Sequence, residues 1–416
     1  MSEQSLLFRN GKIYTPDGNL YQERLTIVYN GKIVTETSGI IEGGIVAWQG
    51  ERIVYVGPDE GFFETEQINN QSHLLIDAEG GWVLPGFIDV HVHGGYGHDF
   101  MEATVEAFDE LTRFHAAHGT TAILATTVTA PRDALSDVIQ TVHGYRSRDL
   151  RYAELLGVHL EGPFISSKWS GAQNPEHILP PQSDWLEEWV REYPGIIKIV
   201  TLAPESEGAM SLITWLSQQG IVPACGHTDA TYDCILEAVH NGLRHGVHTF
   251  NAMKELHHRE PGTVGAILSD DRISTEIIAD GYHVHPACIR IMTKLKRADQ
   301  VILITDAIPA AGLSDGEYTI AGLDVIVKDS VSRLKEGGNL AGSMLTMIEA
   351  FRFMIHVVKL EIEQVSRFAS GNPALLLGIE SDMGSLQAGK LANILLLSPD
   401  LELLQVWGRG RSIFEQ

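Results

Sequence analysis

Leu84-Pro85-Gly86-Phe87-Ile88-Asp89-Val90-His91-Val92-His93-Gly94-Gly95 is the stretch whose reading decides the fold. An apolar run ends in two histidines at i and i+2. On an extended strand such residues share a face, so His91 and His93 aim two imidazoles at one point. Neutral imidazole is the commonest side-chain metal ligand. The two glycines that follow let the chain turn sharply beside whatever is bound. An isolated pair of this kind reads more simply as a surface His-x-His at a strand end. The segments on either side decide between the two readings.

Downstream, apolar β-branched runs alternate with longer amphipathic stretches. The runs are Phe87–His91, Thr120–Thr127, Leu155–Leu160, Ile196–Ala203, Ile221–Gly226, His245–Thr249, Ser274–Ala279 and Val301–Thr305. Between them lie helix-like segments such as Val105–His118 and Asp233–Asn241. Continuous apolar strands that alternate with helices indicate a parallel sheet covered on both faces. Eight such repeats fit a (β/α)₈ TIM-type barrel of the α/β class better than an open doubly wound sheet. No GxGxxG follows any of these strands, which weakens a dinucleotide-binding reading.

Upstream, Leu6-Leu7-Phe8, Lys12-Ile13-Tyr14 and Leu25-Thr26-Ile27-Val28-Tyr29 read as short strands, with Asn10-Gly11 and Asn30-Gly31 as turn signals. Gly44–Trp48 and Arg52–Gly57 read as a further pair. Past the helical stretch Met347–Val358 the chain returns to strands at Ala392–Leu397, Glu402–Val406 and Arg411–Phe414. The expected organisation is a small β-sandwich built from both chain ends, 1–84 and 371–416, with the barrel over 85–370.

With 44% apolar and 20% charged residues over 416 positions, the composition is that of an ordinary soluble protein. The formal charge of −24, from 30 basic against 54 acidic residues, repels phosphate backbones and argues against nucleic acid as a partner. Cys225, Cys234 and Cys288 form no CxxC pair and no disulfide framework. No run approaches a membrane span, and Met1–Ser5 shows no basic leader, so a cytoplasmic location without membrane partners is expected.

Barrel enzymes place catalysis at the C-terminal ends of their strands. Those ends carry His91 and His93, His159-Leu160-Glu161, Cys225-Gly226-His227, His248, Asp280 through His283, and Thr305-Asp306. Any one of these alone is better read as structural. Six metal-capable strand ends at one rim are not. His91, His93, Glu161, His227 and His248 supply imidazoles and a carboxylate, the ligand set of zinc or a similar divalent metal. Five ligands exceed one open tetrahedral site, so two metals bridged by Glu161 are expected. They would polarise a carbonyl and lower the pKa of a bound water, with Asp306 moving the proton.

The sequence resembles the N-acetylglucosamine-6-phosphate deacetylases of the amidohydrolase superfamily over nearly its whole length. Pro85 through Gly95 and the tail Gly384–Asn393 carry the superfamily likeness. His159–Phe164, Gly226–Thr231, His248–Met253, Arg259-Glu260-Pro261-Gly262, Asp280–Val284, Thr305-Asp306-Ala307 and Leu340–Ser343 carry the closer one. The resemblance implies that Glu161, His227 and His248 are primary metal ligands, and that His91 and His93 serve a second metal. One or two ions per subunit, zinc or iron, follow from it. It implies Asp306 as the acid/base, itself beside the metals, and His283 as a substrate contact that helps polarise the acetyl carbonyl. Asn251, Ala252 and Arg259 match phosphate and sugar contacts; Leu340, Ala341 and Gly342 match a loop over the sugar. Ala172 and Gln173 match further sugar contacts, although Gln173 stands where the family commonly has histidine. The family is homodimeric, with Arg259 serving the neighbouring subunit's site.

The implied reaction is hydrolysis of the N-acetyl group of N-acetylglucosamine-6-phosphate, in amino-sugar catabolism. Its alternatives are the galacto epimer as substrate, another amidohydrolase reaction, or a non-catalytic scaffold. A scaffold should have lost ligands, and none is missing.

Overall fold

The computed structural model describes residues 7–9, 12–14, 24–36, 39–59, 73–149, 151–320 and 322–416. The expected Asn10-Gly11 turn, Leu6 and the Met1–Ser5 segment lie outside these residues. The chain divides into two compact units: Met1–Ile88 with Ala116–Thr121 and Glu361–Gln416, and Asp89–His115 with Ala122–Leu360.

The eight apolar runs form eight strands: β1 (Phe87–Asp89), β2 (Thr120–Thr126), β3 (Glu154–Glu161), β4 (Ile197–Leu202), β5 (Val222–Cys225), β6 (His245–Gly246), β7 (Ser274–Ile278) and β8 (Val301–Ile304). They pair side by side in chain order in one sheet. The ring closes just beyond the strands: Asp306 N donates to His91 O at 2.9 Å, and His93 N donates to Ala307 O at 2.9 Å. Every residue of β2 and β5 is buried, as continuous apolar runs require when both faces are covered. The expected barrel is therefore present.

The covering helices follow their apolar stripes. Val105–Ala116 buries Ala107, Phe108 and Leu111, the face that a 3.6-residue period puts together. Tyr232–His240 starts at Thr231, whose hydroxyl accepts from Cys234 N at 3.2 Å and so satisfies one of the unpaired first-turn donors. One element was not anticipated. Gly316–Ile320, Leu323–Lys328 and Val331–Leu334 form an antiparallel three-stranded sheet after β8. Its alternating exposed and buried residues are the signature of a strand pair wet on one face, hidden here among polar loop residues.

In the other unit, strands from both chain ends form one sheet. Ile394–Leu397 pairs with Trp82–Pro85 on one side and Leu403–Gly408 on the other. The sheet continues through Thr26–Thr35 and Gly39–Gln49 to Arg52–Pro58. Trp48 and Trp407 stand four strand spacings apart in this order, ~19 Å if the sheet were flat. Their ring centroids are 5.2 Å apart, so the sheet curls onto itself and supplies both faces of the expected sandwich. Asn30-Gly31 is not a turn between strands. It lies inside the continuous strand Thr26–Thr35, where Asn30 takes φ 55° and the register shifts. The bulge splits the pairing: Thr26–Tyr29 pair with Leu74–Asp77, while Lys32 and Ile33 pair with Trp82 and Val83.

Candidate metal centre

The expected ligands converge. Glu161 closes β3 with 1% of its surface exposed. Its Oε1 lies 3.1 Å from His91 Nε2, 3.3 Å from His227 Nε2 and 2.9 Å from His248 Nε2. Its Oε2 lies 3.3 Å from His93 Nε2, which is also 3.2 Å from Asp306 Oδ1. His91, Glu161 and His248 form one compact ligand group; His91, His93 and Asp306 form another.

The local backbone shows how the strand ends aim these groups. His227, His248 and Asp306 all take positive φ, at 47°, 27° and 51°. Non-glycine residues in this region are strained by about 1–3 kcal/mol each and persist only where surroundings enforce it. For Asp306 the enforcement is visible: its N–H donates to His91 O, and its carbonyl accepts from Ser343 N at 2.8 Å. Beside His227, a Cβ on Gly226 would stand 2.2 Å from Val247 Cγ2. Gly226→Ala should therefore overpack this corner and cost about 1–3 kcal/mol, read as a lowered Tm. An unchanged Tm would show that β5 and β6 are not in contact there.

Each histidine is held from behind. His227 Nδ1 meets Trp169 O at 2.8 Å, His248 Nδ1 meets Asn251 O at 3.2 Å, and His93 Nδ1 meets Thr126 O at 3.3 Å. His91 Nδ1 meets the buried Glu276 Oε2 at 2.8 Å. These partners only accept, so in each neutral ring Nδ1 carries the proton and Nε2 is left with a lone pair facing the centre. His227 Nε2 and His248 Nε2 are only 3.2 Å apart, and His91 Nε2, buried and 3.1 Å from Glu161 Oε1, makes no aligned hydrogen bond among the described residues. Lone pairs and two carboxylates on one point repel unless positive charge lies among them. Electrostatics say the same. Burial alone would push His91 down, yet Glu161 and Glu276 raise it well above the usual range. Burial is likewise outweighed at His93 by Asp306 and Glu161, which lift it to about 9. Burial works against ionised Glu161 and Asp306, but the facing imidazoles hold both below the ordinary carboxylate range. Divalent metal ions bound by nitrogen and oxygen ligands, with each imidazole oriented by a second partner, meet this demand.

Beside the centre opens a cavity of about 490 Å³. Its walls include the expected His93, Glu161, Ala172, Gln173, His227, His248, Asn251, Ala252, His283, Asp306, Leu340 and Gly342. Asp280 Oδ2 holds His283 Nδ1 at 2.6 Å, leaving Nε2 for the cavity. Gln173 accepts from Thr129 N and donates to Glu161 Oε2, both at 2.6 Å, so it braces the central carboxylate as well as lining the wall. Three expected residues are not among the lining. His91 is fully buried behind it. Ala341 is buried in an adjoining apolar cluster. Arg259 is exposed on a turn, with Nη1 2.7 Å from His258 Nε2.

Several contributors escape the sequence reading. Lys168 and Trp169 line the cavity, and Asp229 holds both, at 2.9 Å from Lys168 Nζ and from Trp169 Nε1. Nothing in Ser167-Lys168-Trp169-Ser170 signals this. Glu276 was legible in principle. An acid inside Ser274-Thr275-Glu276-Ile277-Ile278, a run that reads as a barrel strand, is buried only when paired. His159 stands behind the centre instead of in it, between Val90 O at 3.1 Å and Thr201 Oγ1 at 2.7 Å. Burial and the neighbouring His91 push it down to about 3, so it stays neutral.

Comparisons with known proteins give the family. Residues 82–413 match the model of the amidohydrolase family. A Bacillus subtilis protein named N-acetylglucosamine-6-phosphate deacetylase is 39% identical over 367 residues, covering 86% of this chain and 92% of that protein. An N-acetylgalactosamine-6-phosphate deacetylase of Escherichia coli O157:H7 is 38% identical over 335 residues, 80% of this chain and 88% of that protein. The crystal structure of the Pasteurella multocida N-acetylglucosamine-6-phosphate deacetylase superposes with a TM-score of 0.87 at 28% identity, over 94% of this chain and 100% of that one. The chain belongs to the amidohydrolase family and, within it, to the N-acetylglucosamine-6-phosphate deacetylases.

Proposed function

We propose that the protein hydrolyses the N-acetyl group of N-acetylglucosamine-6-phosphate, releasing glucosamine-6-phosphate and acetate. The observation that carries the reading is one cavity lined by His93, His227, His248, Glu161 and Asp306, with His91 Nε2 meeting Glu161 from behind. The relatives' names supply the substrate class. Glu161, His227 and His248 would hold one divalent ion, and His91, His93 and Asp306 a second, with Glu161 within reach of both groups, zinc or iron in either place. Bound there, such ions supply a Lewis acid for the amide carbonyl and a lowered pKa for attacking water.

The chain's own groups do the rest. Asp306, pinned through its backbone, accepts the proton of the attacking water and returns it to the departing nitrogen. A C–O bond forms and the C–N bond breaks, giving the neutral amine and acetic acid, whose remaining proton passes to solvent to leave acetate. His283, fixed by Asp280, faces the acetyl group. Asn251 and Ala252 position the sugar, and Leu340 with Gly342 closes over it. Arg259 reaches the phosphate of the neighbouring subunit's substrate in a homodimer; its planar fork suits two phosphate oxygens. A cytoplasmic location goes with this reading, since a phosphorylated sugar does not cross a membrane unaided. No helix among the described residues is long and apolar enough to cross one.

The relative that acts on the galacto epimer, at similar identity, keeps that substrate as the second reading. Acetate release should be measured on both 6-phosphorylated N-acetylhexosamines and on their unphosphorylated forms. The expected result is preference for the gluco phosphate and weak turnover without phosphate. Equal turnover of the unphosphorylated sugars would contradict the role of Arg259. Preference for the galacto phosphate would move the assignment to that epimer.

A further inference from the structure

We infer that Glu276 is a positioning residue of the metal centre, holding His91 in the tautomer and rotamer that make the second ion's site. The inference rests on the two-ion reading above. Glu276 lies on β7, is fully buried and does not line the cavity. Three N–H groups converge on its carboxylate. His91 Nδ1 and His248 N approach Oε2 at 2.8 and 3.0 Å, and His245 Nε2 approaches Oε1 at 2.9 Å. His245 in turn meets Ser274 Oγ through Nδ1 at 2.7 Å.

The consequence falls unevenly on the centre. His91 is the one ligand histidine whose Nδ1 faces a side chain; His93, His227 and His248 face backbone carbonyls. A carbonyl position is set by the fold. The His91 partner is set by one residue. Without an acceptor there, the His91 proton is free to move to Nε2, and a protonated Nε2 cannot bind a metal. His248 loses only a backbone contact, because its ring stays oriented by Asn251 O. Loss of Glu276 should therefore empty the His91–His93–Asp306 group and spare the Glu161–His227–His248 group.

Two variants separate orientation from charge. In Glu276→Leu no acceptor remains. In Glu276→Gln the amide oxygen can still accept from His91 and His248 N. Its NH₂ then faces His245, which can switch tautomer because Ser274 Oγ can accept from Nδ1–H while it donates to Arg244 O. Purified wild type and variants are stripped, titrated with Mn²⁺ alone, and read by metal content and by the exchange-coupled EPR signal of a two-ion cluster. Circular dichroism and Tm establish folding. Wild type is expected to bind about two Mn²⁺ with coupling. Glu276→Leu is expected to bind about one, uncoupled. Glu276→Gln should keep the coupled signal, with the weaker site loosened by about 10–100-fold. Coupled, full binding in Glu276→Leu would overturn the inference, as would loss of both ions. Should Glu276→Leu not fold, Glu276→Gln decides: affinity unchanged, or lowered equally at both sites, overturns it. A wild type that binds a single ion overturns the two-ion reading itself, and this inference with it, before any variant is compared.

Discussion

Asp306→Asn is expected to lower acetate release by about 10²–10⁴-fold. It should leave the ion at Glu161, His227 and His248 in place. The carboxylate combines a proton-accepting oxygen with a fixed position at the cavity. Its Oδ1 is 3.2 Å from His93 Nε2, and its backbone is tied to His91 and Ser343. Asparagine fills the same volume and cannot take a proton from water. That ion retained and Tm near the wild-type value, with turnover gone, would assign the loss to the Asp306 carboxylate. Turnover within a few-fold of wild type would remove Asp306 from the mechanism.

Glu161→Ala is expected to have the larger effect on binding. This carboxylate meets all four ligand imidazoles and the Gln173 amide. Without it both ion groups lose their shared anion. Metal stabilisation of developing charge is worth several kcal/mol, so acetate release should fall by at least about 10⁴-fold. Metal retained after dialysis should drop with it. A variant that kept both ions would show that the imidazoles and Asp306 suffice, and that Glu161 is not the bridge.

Much of this was legible before the structure. The eight apolar runs are buried on both faces, and that burial is what makes a continuous hydrophobic strand readable. The ligands were legible because they follow those runs directly: Glu161 ends β3, and His227 and His248 each lie two residues past a strand. What was not legible is long-range. Trp169 orients His227 across a sequence separation of 58, and Glu276 orients His91 across 185. Such pairings depend on barrel closure and leave no local pattern. Asn30-Gly31 misled because the left-handed residue a hairpin turn needs is also what a bulge needs; only the flanking register distinguishes them. The three-stranded sheet after β8 was missed because its half-exposed strands lack the apolar run that marked the barrel.

The most direct test of metal-dependent deacetylation uses one preparation of purified protein. Metal content and acetate release from N-acetylglucosamine-6-phosphate are measured before chelation, after chelation and after readdition of zinc or iron. The account predicts bound metal at the start, loss of acetate release as the metal leaves, and recovery when it returns. Unchanged acetate release from metal-free, folded protein would contradict it.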